Sequence, residues 1–147
     1  MPGPESKLRG SCHCGDITLQ VSLPPGSQAL VPRRCDCGFC SRHGAEWISA
    51  ADGRLEIQFA DGAAAGRYRQ GSNQADLVFC RRCGALTHVC IEESGRMLAA
   101  ANSRMFDQSR LLAAAEPVSP QRLDAAEKLQ RWRRLWFARV VLRNMPS

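Results

Sequence analysis

One stretch decides the fold of this chain: Cys35-Asp36-Cys37-Gly38-Phe39-Cys40, which places three thiols within six residues. Two further pairs bracket it, Cys12 with Cys14 upstream and Cys80 with Cys83 downstream. Zinc takes thiolate ligands in tetrahedral geometry; a structural site fills all four positions, whereas a catalytic site keeps one open. The outer pairs therefore predict a closed four-thiol site, and the central triplet predicts a zinc with room for a reacting molecule.

The cellular compartment decides how eight cysteines are interpreted. The chain has 147 residues, a length that fits one domain with a real core. Residues 1–10 are polar and lack the apolar run of a signal peptide, and no stretch approaches the roughly 20 apolar residues of a membrane span. These features predict a soluble, cytoplasmic protein whose thiols stay reduced. Clustered thiols there indicate metal sites rather than the alternative, a disulfide framework.

The formal net charge of +6 is concentrated near the end of the chain. Residues 121–147 carry seven basic and two acidic side chains, a net of +5, whereas the remaining 120 residues carry 13 basic and 12 acidic ones. A nearly neutral body with a basic tail argues against a nucleic-acid-binding domain.

Alternating apolar residues predict a mainly β domain. Residues 17–21 and 55–59 alternate apolar and polar side chains, which is typical of half-buried strands. Residues 86–92 and 96–101 indicate a hairpin that turns at Ser94-Gly95. Two local features are less regular: Gly38 is expected to permit the tight turn of a Cys-x-x-Cys knuckle, and residues 111–115 fit a helical turn.

The C-terminal segment differs in kind from the rest. Ser119 can cap a helix, Pro120 fits the first helical position, and Asp124 lies early in it. Apolar residues then recur at three- and four-residue spacings, which predicts one basic amphipathic helix of roughly 24 residues over 119–144. These residues are Leu123, Leu129, Trp132, Trp136, Phe137 and Val140. We expect this helix to pack on the preceding domain, residues 8–116, or at the interface of a homodimer; a membrane-interface helix is a third interpretation.

The three cysteine clusters together resemble the family of glutathione-dependent formaldehyde-activating enzymes, which includes centromere-protein-V-like proteins. The matching motifs are Gly10-Ser11-Cys12-His13-Cys14-Gly15, the triplet and Phe79-Cys80-x-x-Cys83-Gly84, and the resemblance covers about residues 8–107. It implies a compact, mostly antiparallel zinc-bound β fold (Mss4-like, β-tent), to which the C-terminal α-helix is an addition. The sequence departs from the family at Asp36, where members often have His, and in its long basic helix.

The resemblance also implies two zinc ions per chain and a reaction. That reaction is carbon–sulfur lyase chemistry that joins formaldehyde to glutathione, as in S-(hydroxymethyl)glutathione synthase, or the reverse. A small thiol is then the co-substrate, and metal coordination lowers its pKa so that the thiolate adds to the aldehyde carbon. The implied ligands are Cys12, Cys14, Cys80 and Cys83 for a structural zinc, and Cys35, Cys37 and Cys40 for a catalytic zinc.

Several residues leave alternatives open. Cys90 could be a fourth ligand of the triplet, which would make the protein a non-catalytic zinc module whose basic helix contacts nucleic acid or a protein partner; a strand position equally suits a buried core cysteine. His43, three residues after Cys40, could ligate, carry a proton or be exposed. The Arg pairs 33–34 and 81–82 could bind substrate carboxylates or stay solvated.

Overall fold

A computed structural model describes residues 6–107 and 110–144 of the chain. In that part of the protein, eleven strands form two sheets, and a helix of 11 residues follows the tenth strand. The strands are β1 (Ser6–Ser11), β2 (Ile17–Leu23), β3 (Arg33–Cys35), β4 (Glu46–Ile48), β5 (Arg54–Phe59), β6 (Ala65–Tyr68), β7 (Asp76–Cys80), β8 (Leu86–Glu93), β9 (Arg96–Asn102), β10 (Glu116–Val118) and β11 (Arg139–Arg143). The helices are α1 (Gly38–His43) and α2 (Ala125–Leu135), with 3-10 turns at Ser103–Met105 and Pro120–Arg122.

The strand order confirms the predicted mainly β, mostly antiparallel fold. The four-stranded sheet has the order β1-β2-β5-β11, and the seven-stranded sheet has the order β10-β3-β4-β9-β8-β7-β6. The pairs β10–β3 and β11–β5 are parallel, and the other named pairs are antiparallel. The hairpin between β8 and β9 turns at Ser94 and Gly95 as predicted, and both have the positive φ that such two-residue turns need.

The main core lies between the two sheets. Strands β2 and β5 pair with each other and present one apolar face, which confirms the strands predicted over 17–21 and 55–59. Burying each such side chain contributes roughly 1.5–3 kcal/mol. The buried residues of this core include Ile17, Leu19, Val21, Leu55, Ile57, Phe59, Val78, Cys80, Cys90, Ala99 and Ala101.

A second core covers the other face of the seven-stranded sheet. Leu77 belongs to it although the next residue, Val78, belongs to the main core, and Val89 and Cys90 divide in the same way. This follows from the period of two along a strand, which sends successive side chains to opposite faces. Two tryptophans of the C-terminal segment and the three thiols of the central triplet complete this second core. It is therefore the core that surrounds the candidate site.

The predicted C-terminal helix is present, but its predicted extent over residues 119–144 is wrong. Helix α2 begins after Asp124, whose carboxylate accepts from the Glu127 backbone N–H at 2.8 Å while the Glu127 side chain accepts from the Asp124 backbone. Ser119 and Pro120 instead open a 3-10 turn. The helix ends at Leu135, and residues 139–143 form β11 beside β5. The edge of β5 offers backbone groups that this segment pairs with in extended form, and its Val140 and Val141 are β-branched residues that favour a strand.

Two smaller predictions are also corrected. Cys37, rather than a glycine turn, starts the knuckle: its sulfur caps α1 by accepting from the Cys40 backbone N–H at 3.3 Å. Gly38 is the first residue of that helix, and the positive φ belongs to Gly44, which ends it. Residues 111–115 form no helical turn; they contain a turn and a bridge that pairs Leu112 with Leu30.

His88 is buried in β8, with only 2% of its surface exposed. Its Nδ1 lies 2.8 Å from the Thr87 hydroxyl, and its ring meets the edge of Phe59 at 6.3 Å between centroids. Burial, with a smaller contribution from the charge of Arg67, lowers the pKa of His88 to about 3. The imidazole is therefore neutral in the folded protein at any pH at which the domain is handled.

This burial predicts a pH dependence of stability. Because an unfolded histidine has a pKa of roughly 6.5, the unfolded chain binds a proton below that pH that the folded chain does not. The free energy of unfolding therefore decreases as the pH falls below about 6.5, and it is about 2 kcal/mol smaller at pH 5. Urea unfolding at pH 7.5 and pH 5 should show a smaller loss in His88→Asn than in the wild type. The exposed His43→Asn is the control, expected to follow the wild type; equal losses in all three proteins would contradict the assignment.

Candidate metal centre and pocket

The outer four cysteines meet at one point of the fold. Cys12 and Cys14 lie in the turn between β1 and β2, and Cys80 and Cys83 lie at the end of β7 and in the turn after it. Their sulfur atoms all lie within 4.8 Å of one another. The distances from Cys14 are 3.7 Å to Cys12 and 3.6 Å to Cys80. Tetrahedral sulfur ligands about 2.3 Å from zinc are separated by about 3.8 Å, so this group could hold a metal ion.

The central three cysteines form a second group. Cys35 ends β3, Cys37 caps α1 and Cys40 lies within that helix, and their sulfur atoms also lie within 4.8 Å of one another. All three are buried, at 8%, 8% and 4% exposure. The short helix brings the second and third thiols to one side because they are three residues apart. Three converging thiols could hold a metal ion while leaving a fourth position for another ligand.

Hydrogen-bond donors support the sulfur atoms of this triplet. The Trp47 indole Nε1–H donates to the Cys40 sulfur at 3.4 Å, and the Gln70 side-chain amide lies 3.9 Å from the Cys37 sulfur as a donor. Donors to a sulfur favour its thiolate form, which is the form that binds metal. Sequence analysis identified neither residue. A buried tryptophan needs a partner for its N–H, but sequence alone gives no sign of which group that partner is.

The thiols of the triplet also influence one another. The Cys40 side chain, by hydrogen bonding, lowers the pKa of Cys35 to about 6, despite the opposing effect of burial. The pKa of Cys40 is raised, first by that same hydrogen bond, in which it keeps its proton, and then by burial. Of these two thiols, Cys35 therefore loses its proton more readily than Cys40.

A cavity of about 370 Å³ opens onto the triplet. This volume is at the lower end of the range for small-molecule sites, roughly 300–1,000 Å³. Its walls combine three kinds of side chain: the three thiols, an apolar group and a cationic group. The apolar group includes Trp47, Leu77, Val89, Trp132 and Trp136, and the cations are Arg33, Lys128 and Arg131.

The two arginines of the cavity lie partly out of water. Burial, with a smaller contribution from the nearby charge of Arg131, lowers the pKa of Arg33 to about 10. Burial also lowers the pKa of Arg131, against a smaller opposing effect of Cys35. Both guanidinium groups stay charged at neutral pH, so the cavity wall is positive next to the thiols.

The positions of Cys90 and His43 show whether either residue lies close enough to the triplet to be a ligand. Cys90 is buried on the face of β8 opposite Val89, which lines the cavity, and it lies outside both thiol groups. Burial raises its pKa to about 11, in keeping with a core cysteine. His43 is exposed, and its ring lies tilted against that of Phe39, at 4.6 Å between ring centroids, rather than joining the triplet.

The Arg pairs divide between the cavity and the surface. Arg33 lines the cavity, whereas Arg34 pairs with Glu46 at 3.4 Å. Arg81 and Arg82 lie outside the cavity lining, and Arg82 lies 3.6 Å from Asp16 on the surface. Of the four arginines, Arg33 is thus the one placed to meet a ligand.

Asp36, which stands between the first two triplet cysteines, faces the segment that leads to α2. Its carboxylate accepts a hydrogen bond from the Gln121 side chain at 3.0 Å and another from the Ser119 hydroxyl. Its backbone N–H donates to Val118 O at 3.1 Å. The residue therefore fastens the start of the C-terminal segment to the triplet loop.

The fold and its two thiol groups define a mainly β protein with two sites that could hold metal ions. A model of the family described as glutathione-dependent formaldehyde-activating enzyme matches residues 7–121, and the chain belongs to this family. Helix α2 and strand β11 lie beyond the matched residues.

Comparison with individual proteins adds one similar structure. The chain is 31% identical to a Rhodobacter sphaeroides protein whose crystal structure was solved in a structural genomics programme. The alignment covers 69% of this chain and 90% of that one, with a TM-score of 0.47. No curated protein matches the chain.

Within the described residues, no helix combines the length and apolar character needed to cross a membrane. A cytoplasmic location and a homodimer stay predictions.

Proposed function

We propose that this protein is a zinc-dependent carbon–sulfur lyase that acts on adducts of a small thiol and an aldehyde. The description of its family names glutathione and formaldehyde, and we propose these two molecules as the co-substrates. One observation carries the proposal: the three buried thiols of the triplet form part of the wall of a cavity of about 370 Å³. A small molecule in that cavity would lie next to a metal held by the triplet.

The two thiol groups take different roles in this proposal. The outer group fills four positions and is the structural site; the triplet leaves one position open and is the catalytic site. Zinc bound there supplies a Lewis acid that lowers the pKa of a substrate thiol. The proposed ligands are Cys12, Cys14, Cys80 and Cys83 for the structural zinc, and Cys35, Cys37 and Cys40 for the catalytic one.

The reaction needs little more from the protein than binding and exclusion of water. The thiol sulfur forms a bond to the aldehyde carbon, the carbonyl double bond becomes a single bond, and the proton lost by the thiol ends on that oxygen. Trp47 and Gln70 hold the ligating sulfurs by their N–H groups. The apolar walls keep water from the reacting atoms and strengthen the charge interactions inside the cavity.

The non-catalytic alternative needs a fourth protein ligand for the triplet. Among the described residues, no further Cys, His, Asp or Glu completes the group within 4.8 Å, and Cys90 is on the other face of its strand. The basic side chains of the C-terminal segment are also divided among a 3-10 turn, α2 and β11, so they do not follow one helical face. Neither observation favours a closed site or a nucleic-acid-binding helix.

Cobalt substitution tests the open position directly. Adding glutathione to the cobalt protein is expected to change its visible spectrum, because a fourth sulfur ligand enters beside the three cysteines. Cys37→Ser is expected to abolish this response and the lyase activity. Serine is itself a good N-cap, so helix α1 should still form, and unfolding should stay cooperative on the outer metal site. Metal analysis of the wild type should find about two zinc ions per chain, as the two ligand sets require.

The control variant is Cys90→Ala, which removes an equally buried thiol on the far face of the sheet. It should keep the full spectral response to glutathione. The proposal fails if the cobalt spectrum reports four thiolates at the triplet as well as at the outer site before any thiol is added, and Cys90→Ala removes one of them.

A further inference from the structure

Three cations line the cavity without an acidic partner. Arg33 comes from β3, and Lys128 and Arg131 come from α2. Within residues 6–107 and 110–144, none of the three forms an ion pair with a carboxylate. The exposed Arg133 of the same helix, by contrast, pairs with Glu93. Partly buried charges without partners are costly, so this wall indicates an anion that the protein itself does not supply.

The cations are held in defined places. Arg33 donates from Nη2 to the Ser49 hydroxyl at 2.6 Å, and that hydroxyl donates to the Leu135 carbonyl at 2.7 Å, which ties it to the last residue of α2. Arg131 lies close enough to Cys35 for the two charges to interact. Lys128 reaches toward the loop at the cavity rim: a Cβ at Gly71 would lie 3.5 Å from its Nζ. The positive charge thus extends from the triplet to the rim.

The metal site alone does not account for this charge. Three thiolates around a divalent ion carry one net negative charge, and a bound substrate thiolate brings the total to two. The three positive charges of the cavity cations exceed even these two negative charges by one. The remaining positive charge calls for a further anionic group on the molecule that fills the cavity.

We propose that Arg131 and Lys128 are specificity-determining residues that bind a carboxylate of the substrate while its sulfur lies at the triplet. The substrate class is then an anionic thiol, or its aldehyde adduct, small enough for the cavity. Guanidinium and ammonium groups form the stronger, charge-assisted hydrogen bonds with carboxylates. Because α2 lies beyond the residues that the family model matches, this selectivity belongs to the chain's own C-terminal segment. The inference rests on the proposed function.

Helix α2 is fixed over the cavity at both ends, as such a role requires. Asp36 holds the preceding segment through Ser119 and Gln121, and Ser49 holds the last carbonyl of the helix. Trp132 and Trp136 stack on each other at 4.8 Å between ring centroids and are buried in the second core. The two cations are therefore presented by a rigid element, not by a loop.

The test compares three thiols of similar size that differ in charge: mercaptopropionate, mercaptoethanol and cysteamine. Each is titrated into the cobalt-substituted protein, and its dissociation constant is read from the visible spectrum. The wild type is expected to bind mercaptopropionate at least about 10-fold more tightly than mercaptoethanol, and cysteamine most weakly. Arg131→Gln and Lys128→Gln should each weaken the binding of mercaptopropionate much more than that of mercaptoethanol, and so remove most of this preference. Arg131→Lys, which keeps the charge, should retain part of it.

Arg133→Gln and Arg134→Gln are the matched controls, since both residues are exposed on the same helix and lie outside the cavity lining. They should preserve the wild-type preference. If Arg131→Gln weakens all three thiols equally, the arginine merely balances the charge of the metal site and the inference is wrong. If mercaptoethanol binds the wild type as tightly as mercaptopropionate, the inference fails and the proposed function stands. If no thiol changes the spectrum, both the proposed function and the inference that rests on it are wrong.

Discussion

Replacing Cys80 with serine is expected to abolish cooperative folding of the whole domain. The Cys80 sulfur lies 3.6 Å from that of Cys14, and its side chain is fully buried where the end of β7 meets the turn after β1. A metal bound by the outer four thiols would join parts of the chain that are 66 residues apart. Structural zinc contributes on the order of 10 kcal/mol to folding, which matches the whole stability of an ordinary domain, about 5–15 kcal/mol.

The measurement is thermal unfolding followed by near-ultraviolet circular dichroism, together with the metal content of the purified protein. Cys90→Ser is the matched control, because it makes the same atomic change at an equally buried cysteine of the same sheet, outside both thiol groups. Its cost should be about 1–3 kcal/mol, the penalty for burying a hydroxyl, with two metals retained. A Cys80→Ser protein as stable as the Cys90→Ser protein would remove the structural role from the outer group.

Local patterns in the sequence predicted the parts of the fold that depend on short-range information. Alternation over residues 17–21 and 55–59 predicted β2 and β5, because one face of each strand is buried against the opposite sheet. The cysteine spacings predicted which thiols converge within the triplet. The meeting of the pair at 12 and 14 with the pair at 80 and 83 is long-range. It was predicted from the four ligand positions of a closed zinc site and from the resemblance to the family, and the structure brings these sulfur atoms together.

The C-terminal segment shows where periodicity becomes ambiguous. Trp136, Phe137 and Val140 continue the spacing of an amphipathic helix, yet Trp136 faces the second core and Phe137 the main core. The choice between helix and strand depends on the free edge of β5, some 80 positions earlier in the chain, which no local window contains.

The walls of the cavity were equally beyond local prediction. Lys128 and Arg131 lie among other basic residues of α2, a pattern that ordinarily indicates a solvated helix face. Their selection as cavity residues depends on the rotation of the helix against the sheet, which the burial of Trp132 and Trp136 fixes. The roles of the seven cysteines as zinc ligands, and of the triplet in catalysis, stay predictions for the experiments above.

Phe137→Ala is expected to be strongly destabilising, although Phe137 lies outside both thiol groups. Phe137 is 0% exposed in the main core, and its backbone exchanges two hydrogen bonds with Ala99, at 2.9 and 3.1 Å. Its ring packs so closely on Gly53 that a Cβ there would lie 3.0 Å from the ring. Truncating such a ring costs about 3–5 kcal/mol, since the cavity cannot collapse between two sheets. At this chain length, the melting temperature should fall by roughly 6–20 °C.

The same experiment distinguishes the strand that residues 139–143 form from the longer helix that periodicity predicted. In a helix continuing past Leu135, Phe137 would lie beside Trp136 on one amphipathic stripe, and its loss would affect the second core and the thiol-binding cavity. In the structure it anchors β11 on the main core, on the far side of the seven-stranded sheet from that cavity. Phe137→Ala should therefore lower the melting temperature while leaving the metal content and the cobalt response to glutathione unchanged.

Val31→Ala, at a side chain 40% exposed, is the control and should change stability by less than about 0.5 kcal/mol. A Phe137→Ala protein with the stability of Val31→Ala would mean that residues 137–143 do not pack on the two sheets.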